Sequence, residues 1–452
     1  MKNLVTLQHN YFNTNATKPV EFRLKQLHKL KDILTLHSKD LDEAVNKDFG
    51  KTRFETLLTE LYVVFEDINT AIEKLESWAA AIPVETNMLN APGECFIVPE
   101  PLGVSLIIGP WNYPYQLTLA PLVAAMAAGC TAIIKPSELT PHSSGLMAKI
   151  LNDNFDSEYI SVVMGGIPET TALLEEKFDK IFFTGSVPVG KIVYQAAAKH
   201  LTPVTLELGG KSPVIITADA ELDITVQRLV WGKFLNSGQT CIAPDYVYVE
   251  KSIEKVFLEK LTAEIQKRSY SLETGNLVQI VNERNLSRIV GLINPEKIYF
   301  GGRYDLKTRF LEPTIMSDVT WEDKIMQDEI FGPVLPVLSF ESLDQVIASI
   351  KERPKPLALY LFTDNLGTKT KVLNEISFGG GCINETIMHI SNGAMPFGGV
   401  GDSGIGSYHG LDGFRAFTHY KSIVDRPFIQ DPEIKFAPYT AEKIQMMESL
   451  VK

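Results

Sequence analysis

The chain has 452 residues, of which 45% are hydrophobic and 22% charged, the balance of a water-soluble globular protein long enough for two or three domains. Its net charge of -12, with no run of Lys or Arg, sets it against the phosphate backbone and excludes nucleic acid as a general partner. Four cysteines stand far apart without a CxxC, so neither a zinc site nor a disulfide framework is indicated, and their use fits a reducing cytosol.

In chain order, the first 80 residues read as helical, with Leu24, Leu27, Leu30 and Leu34 at helix spacing. The N-terminus lacks an apolar signal core, and the longest apolar run, residues 120–134, is shorter than the roughly 20 residues a membrane span needs. Pro83 closes a second helical stretch, and residues 84–101 read as an extended excursion with the turn Asn-Ala-Pro-Gly at 90–93. From residue 104 the pattern alternates. VSLIIG (104–109), TAIIKPS (131–137), YISVVMG (159–165), KIFFTGS (180–186) and VTLELGG (204–210) read as short buried strands separated by helices, among them a small-residue helix at 120–129 ended by Gly129. A second series, YVYVEKS, IYFGG, PVLPVLSF, ALYLFTD and GGGCINET, follows Cys241. The fold class is therefore α/β with two parallel sheets.

Several stretches carry candidate chemistry. FFTGSVPVGK (182–191) puts Gly185, Ser186 and Gly190 at a strand-to-helix junction, where free backbone amides suit a phosphate; an ordinary turn reads the same way. The GxGxxG at Gly399–Gly404 lacks both a following amphipathic helix and a βαβ unit, and is not taken as a phosphate loop. Lys135 and Glu138 close a strand at the end where parallel sheets bind ligands, or else form a solvated loop pair. Glu207 lies between Leu206 and Leu208; desolvation there would raise its pKa and suit a general base, whereas a water-facing strand residue is the plain alternative. Asn112 sits on a stiff turn of aromatics and prolines, as an oxyanion donor or as a turn residue bonding its own backbone. Cys241, in NSGQTCIAP (236–244), is a nucleophile or a small core residue.

The motifs PWNYP (110–114), IIKPSE (133–138), FFTGS (182–186), LELGGKSP (206–213), GQTCIAP (238–244), EIFGPV (329–334) and PFGGVGDSGIG (396–406), in this order, resemble the aldehyde dehydrogenase superfamily, and most closely its class 3 branch of fatty and aromatic aldehydes. The resemblance implies two Rossmann-type α/β domains plus a small β arm for bridging and oligomerisation. It divides the chain into a cofactor domain (1–82 and 101–208), a catalytic domain (209–400), and the arm with the C-terminal tail (83–100 and 401–452, including a strand near 417–428). It implies NAD, or NADP, as cofactor and no metal. Cys241 would attack the aldehyde, Asn112 with the Cys241 amide would hold the oxyanion, and Glu207 would activate water to hydrolyse the thioester. Lys135 and Glu138 match adenosine-ribose contacts, Glu138 disfavouring a 2′-phosphate by repulsion; Gly185, Ser186, Gly190 and Leu208 line the cofactor seat, and Glu329 and Phe331 place the nicotinamide ribose. Tyr62, Tyr113, Trp231, Met388 and His389 match the substrate passage, with core packing as the alternative for each.

The implied protein is a cytoplasmic homodimer acting on a small-molecule aldehyde, without a membrane anchor. Two rivals remain: an acylating enzyme whose thioester is resolved by coenzyme A, against which Glu207 argues, and a non-catalytic binder. Ser237, Gly238 and Thr240 are expected to leave room beside the sulfur for aldehyde and nicotinamide.

Overall fold

A computed structural model describes residues 1–451. The chain divides into two compact units, one of residues 1–79 and 100–419, the other of residues 80–99 and 420 onward.

The first unit holds both parallel sheets. One runs in the order Gly404–Ile405, Val204–Glu207, Lys180–Thr184, Val104–Ile108, Thr131–Lys135, Ile160–Val162, parallel throughout except for the Gly404–Ile405 edge. Val104–Ile108 and Thr131–Lys135 are buried along their whole length, as strands covered by helices on both faces must be. The chain moves outward from Val104–Ile108 to Ile160–Val162, then returns to the other side of Val104–Ile108 with Lys180–Thr184. That reversal opens a crevice at the carboxyl ends of the strands, where open α/β sheets bind ligands. The register sets Ile108 beside Phe183 and Thr184 beside Glu207, so Gly109, Thr184 and Glu207 share one edge of the sheet.

The second sheet has seven strands, ordered Ile298–Phe300, Thr314–Met316, Val334–Phe340, Tyr246–Glu250, Pro213–Ile216, Ala358–Phe362, Gly380–Ile383, with only Ile298–Phe300 antiparallel. Pro213–Ile216 and Thr314–Met316 were not anticipated from the sequence. Pro213–Ile216 is four residues long, and its partners Tyr246–Glu250 and Ala358–Phe362 are distant in sequence.

Helix Val20–Leu36 buries Leu27, Leu30, Ile33 and Leu34 on one face, and Leu24 lies partly buried against the same core. Helix Gln116–Ala128 begins earlier than its small-residue run suggests and continues through Pro121, to end at Gly129 in the left-handed region (φ 93°). The Gly399–Gly404 stretch forms a tight bridge from Gly401 to Gly404 and then the sheet-edge strand. It is a structural turn.

The second unit carries a three-stranded sheet ordered Ile82–Val84, Glu94–Pro101, Thr418–Asp425, and the helix Ala441–Val451. Residues 401–419, including the first two residues of the strand Thr418–Asp425, fall in the first unit. Among the described residues no helix is long and apolar enough to cross a membrane, and no group of three or more His, Cys, Asp or Glu side chains is arranged to hold a metal ion.

Candidate active site

An open cleft of about 810 Å³ lies at the crevice and is lined by Asn112, Gly185, Ser186, Glu207, Leu208, Cys241, Glu329 and Phe331. Eight of the residues selected from the sequence thus meet around one space, although they span more than 200 positions. Chance core packing would not collect a thiol, a side-chain amide and two carboxylates there.

The Cys241 loop is built backwards from its hydrogen bonds. Asn236 and Ser237 take left-handed φ values of 51° and 53°, and Gly238 follows at 71°. Such a run is costly for residues with a Cβ, so surrounding contacts must enforce it. They do: the Asn236 amide N–H donates to Glu55 Oε1 (2.7 Å), Asn236 Nδ2 to the Asn112 carbonyl (2.9 Å), and Ser237 Oγ to the Val278 carbonyl. Gln239 Nε2 donates to the carbonyls of Asn236 and Gln279, while its Oε1 accepts from the Val281 amide (3.0 Å). A Cβ on Gly238 would stand 2.4 Å from the Gly332 carbonyl oxygen. Ser237, Gly238 and Thr240 do not themselves line the cleft. All three are buried, and their small size lets the loop be clamped from every side.

Cys241 itself is half-buried. Burial raises its thiol pKa, and the carboxylates of Glu329 and Glu207 raise it further, while the backbone amides of Cys241 and Ile242 oppose the shift. In the free protein the sulfur is held as a thiol. Glu207 ends the strand Val204–Glu207, is 3% exposed, and neither of its carboxylate oxygens has a hydrogen-bond partner. Desolvation alone holds its pKa well above the usual carboxylate range, the state suited to a base that takes a proton from water.

Asn112, 4% exposed, donates from Nδ2 to the Gln239 carbonyl (3.0 Å). That bond ties it to the cysteine loop and uses one of the amide's two N–H groups. The other makes no hydrogen bond within the described residues.

On the far side of the cleft, Glu329 is pushed up to about 8, first by burial and then by the nearby Asp245 carboxylate. Phe331, at φ 51°, meets Trp111 edge-on at 5.3 Å. Ser186, which lines the cleft, is the N-cap of the twelve-residue helix Val187–Ala198, and Val187 and Pro188 line the adjoining surface hollow that Ser186 and Glu329 share. Gly190 does not line the cleft; a Cβ there would lie 2.6 Å from Leu208 Cδ2, so it sets how closely helix and strand pack. Lys135 and Glu138 stand at the end of the neighbouring strand, outside the cleft that holds Cys241. Lys135 Nζ, buried and lowered in pKa by that burial, donates to the Pro136 carbonyl (2.7 Å) and lies 3.9 Å from the half-exposed Glu138. Gly185 and Ser186 at a strand-to-helix turn, with the Glu329 carboxyl in the cleft and the Glu138 carboxylate beyond it as acceptors for hydroxyls, form a set that fits a dinucleotide.

The residues matched to a substrate passage do not line this cleft. Tyr62 is 57% exposed, Met388 is exposed, and Trp231 packs partly buried against the core. His389 lies beside Cys382 (Nδ1 to Sγ 3.5 Å), and Tyr113 is buried with its hydroxyl bonded to Thr240 Oγ1 (2.6 Å). Pro110, Trp111, Leu117, Thr184, Asn285 and Arg288 do line it and were not singled out. Trp111 and Pro110 lay within PWNYP; Leu117, Asn285 and Arg288 carry no local mark, being ordinary residues on helices that fold back over the crevice. Arg288 donates to the carbonyls of Ile330 (2.7 Å) and Glu329 (3.4 Å), and so holds the Glu329 segment in place.

Residues 3–423 match the family model described as "Aldehyde dehydrogenase family". Over 427 residues the chain is 45% identical to the dimeric NADP-preferring aldehyde dehydrogenase of Canis lupus familiaris, covering 94% of each chain. It is 44% identical over 433 residues to the 4,4′-diaponeurosporen-aldehyde dehydrogenase of Staphylococcus aureus, covering 95% of this chain and 94% of that one. Among solved structures, the substrate-bound state of Staphylococcus aureus AldH superposes with a TM-score of 0.97 at 42% identity, covering 100% of this chain and 99% of the other.

Proposed function

This chain belongs to the aldehyde dehydrogenase family, and on that footing we propose that it oxidises an apolar aldehyde to its carboxylate with NAD or NADP. The observation that carries the reading is the gathering of Cys241, Asn112 and the unpartnered Glu207 around one cleft.

Cys241 gives its proton to solvent water and the thiolate adds to the aldehyde carbonyl, and the new C–O⁻ is held by the free N–H of Asn112 and the backbone amide of Cys241. A nicotinamide cofactor, when bound, supplies the hydride acceptor that converts this adduct to a thioester. Ser186 and the helix amides behind it, Lys135, Glu138, Glu329 and Phe331 would hold that cofactor, with Gly185 and Leu208 shaping the seat and Gly190 packing helix on strand. Glu207 then takes a proton from water, the hydroxide adds to the thioester, and the carboxylate leaves as Cys241 is restored. One oxyanion site serves both additions.

An apolar substrate is supported by Leu117, Trp111 and Phe331 in the cleft wall and by the apolar aldehyde in the name of the staphylococcal relative. Tyr62, Tyr113, Trp231, Met388 and His389 would act on that substrate from outside the described cleft. The half-exposed Glu138 disfavours the 2′-phosphate of NADP, so NAD is the better cofactor. The canine relative is named dimeric, which supports a homodimer formed through the arm; the cytoplasm is the proposed location, and four free cysteines are compatible with that reducing compartment.

Purified protein with NAD is expected to produce NADH in the presence of aldehydes, with kcat/KM rising along an alkyl series, and Cys241→Ala is expected to abolish it. Product analysis decides the acceptor: free acid agrees with Glu207 as base, while acyl-CoA without free acid overturns it.

A further inference from the structure

Beneath the cleft lies a buried ion pair that the reaction above does not use. Lys51 and Glu60 are each 0% exposed, and Lys51 Nζ donates to Glu60 Oε1 at 2.9 Å. Burying two charges is expensive unless each is fully engaged, and removing one partner leaves the other uncompensated. Both are engaged here, by the seven-residue loop 109–115 and the first residue of the helix that follows it. Glu60 Oε2 accepts from the backbone amides of Tyr115 (2.9 Å) and Gln116 (3.1 Å), where that loop enters helix Gln116–Ala128. A carboxylate at this point matches the positive end of the helix. Lys51 Nζ also reaches the Asn112 carbonyl oxygen at 3.4 Å and sits 4.4 Å over the Tyr113 ring. The Tyr113 hydroxyl in turn bonds Thr240, next to Cys241. The Asn112 carbonyl receives a second donor, Asn236 Nδ2, from the cysteine loop itself.

The pair thus grips the loop 109–115 at Asn112, Tyr113 and Tyr115, and through two of these it reaches the residues around the sulfur. Glu60 lies in the π-helical turn Leu57–Leu61, which interrupts the surrounding α-helix; such turns are commonly found at functional sites. The rest of helix Tyr62–Ala79 packs through apolar residues, so the fold has no general need of an ion pair here.

We propose that Lys51 and Glu60 are positioning residues for the oxyanion donor. By fixing the backbone of Asn112 at its carbonyl and at the loop's exit, they aim the Asn112 amide at the carbonyl carried by Cys241. The inference rests on the aldehyde-oxidising reading of the site.

A double-mutant cycle tests it. Lys51→Met and Glu60→Gln are prepared singly, together, and each with Asn112→Ala. Losing one oxyanion donor typically costs on the order of 10²–10³ in rate, and Lys51→Met is expected to lose at least a tenfold part of that in kcat. NAD binding, followed by quenching of protein fluorescence, is expected to stay within twofold of the parent. In the Asn112→Ala background the same substitution is expected to change kcat less than twofold, because the group it positions is already gone. Multiplying losses in the combined variant, or an unchanged kcat in both single variants, would overturn the proposal. If Lys51→Met alone does not fold, Lys51→Met/Glu60→Gln, which leaves no unpaired buried charge, carries the same comparison. A parent protein without Cys241-dependent aldehyde oxidation would instead refute the reading of the site, and the two failures are told apart by that control.

Discussion

Gly209→Ala isolates the contribution of Glu329 without touching it. A Cβ on Gly209 would stand 2.0 Å from Glu329 Oε2 and 2.8 Å from its Cδ, well inside contact distance. The backbone at 209 is not in the left-handed region, so alanine brings no strain of its own. The obstructing atoms are the end of a flexible side chain held by the Gly210 backbone amide, so the expected response is rotation of Glu329 with loss of that one bond. If Glu329 holds a ribose hydroxyl, its carboxyl, pushed up to about 8, is mostly neutral near pH 7, and the displaced bond is worth about 0.5–1.5 kcal/mol. At about 1.4 kcal/mol per factor of ten, cofactor affinity should fall roughly two- to tenfold. Gly210→Ala is the control, since its Cβ would meet only Leu357 and Pro356 atoms at 3.3–3.8 Å. Fluorescence titration with NAD gives the affinity, and steady-state rates give KM for cofactor and aldehyde separately. Wild-type cofactor affinity in Gly209→Ala, or an equal loss in Gly210→Ala, would refute the reasoning.

Two further outcomes depend on pH. Cys241 and Glu207 both act deprotonated and both have raised pKa values, so kcat is expected to rise with pH above neutrality, by up to about tenfold per pH unit where one group limits; Glu207→Gln should remove that rise from thioester hydrolysis, and a profile flat from neutral to alkaline pH would contradict it. His409, 4% exposed, is held by burial at about 4, below its ordinary 6.5. Folding therefore favours its neutral form, and the stability this gives is complete above about pH 6.5 and is lost as pH falls through about 4, on the order of 3 kcal/mol. His409→Asn, which also tolerates the left-handed φ of 84°, should narrow the gap between urea midpoints at about pH 7 and pH 4.5; an unchanged gap would show that the burial of His409 is not the cause.

Much of the site could be read from the sequence because its residues lie in short segments whose chemistry is local. A glutamate between two leucines at a strand end, a cysteine after Ser-Gly-Gln-Thr, and an asparagine between Trp and Tyr each announce an unusual environment. The strands of the first sheet were likewise marked as short, mostly apolar stretches between helices. What could not be read is what distant parts of the chain supply. Lys51 and Glu60 sit in a helical region where charges ordinarily face water, and only the fold turns them under the loop 109–115. Leu117 and Arg288 become wall residues only because their helices close over the crevice. The small residues before Cys241 were legible as small, but not as clamped: the left-handed run at 236–238 is imposed by Glu55, Val278 and Gly332. At Gly190 the sequence did not show the contact with Leu208 that a Cβ would disturb.

The most direct test of the site is to stop the reaction between its two halves. In Glu207→Gln, with NAD and an aldehyde, the expected result is a single burst of one NADH per subunit, followed by a stalled protein whose mass has grown by one acyl group. Proteolysis should place that group on the peptide carrying Cys241. An adduct on Cys95, Cys130 or Cys382, no adduct at all, or full turnover by Cys241→Ala would contradict the assignment of Cys241 as nucleophile and Glu207 as the base that releases the product.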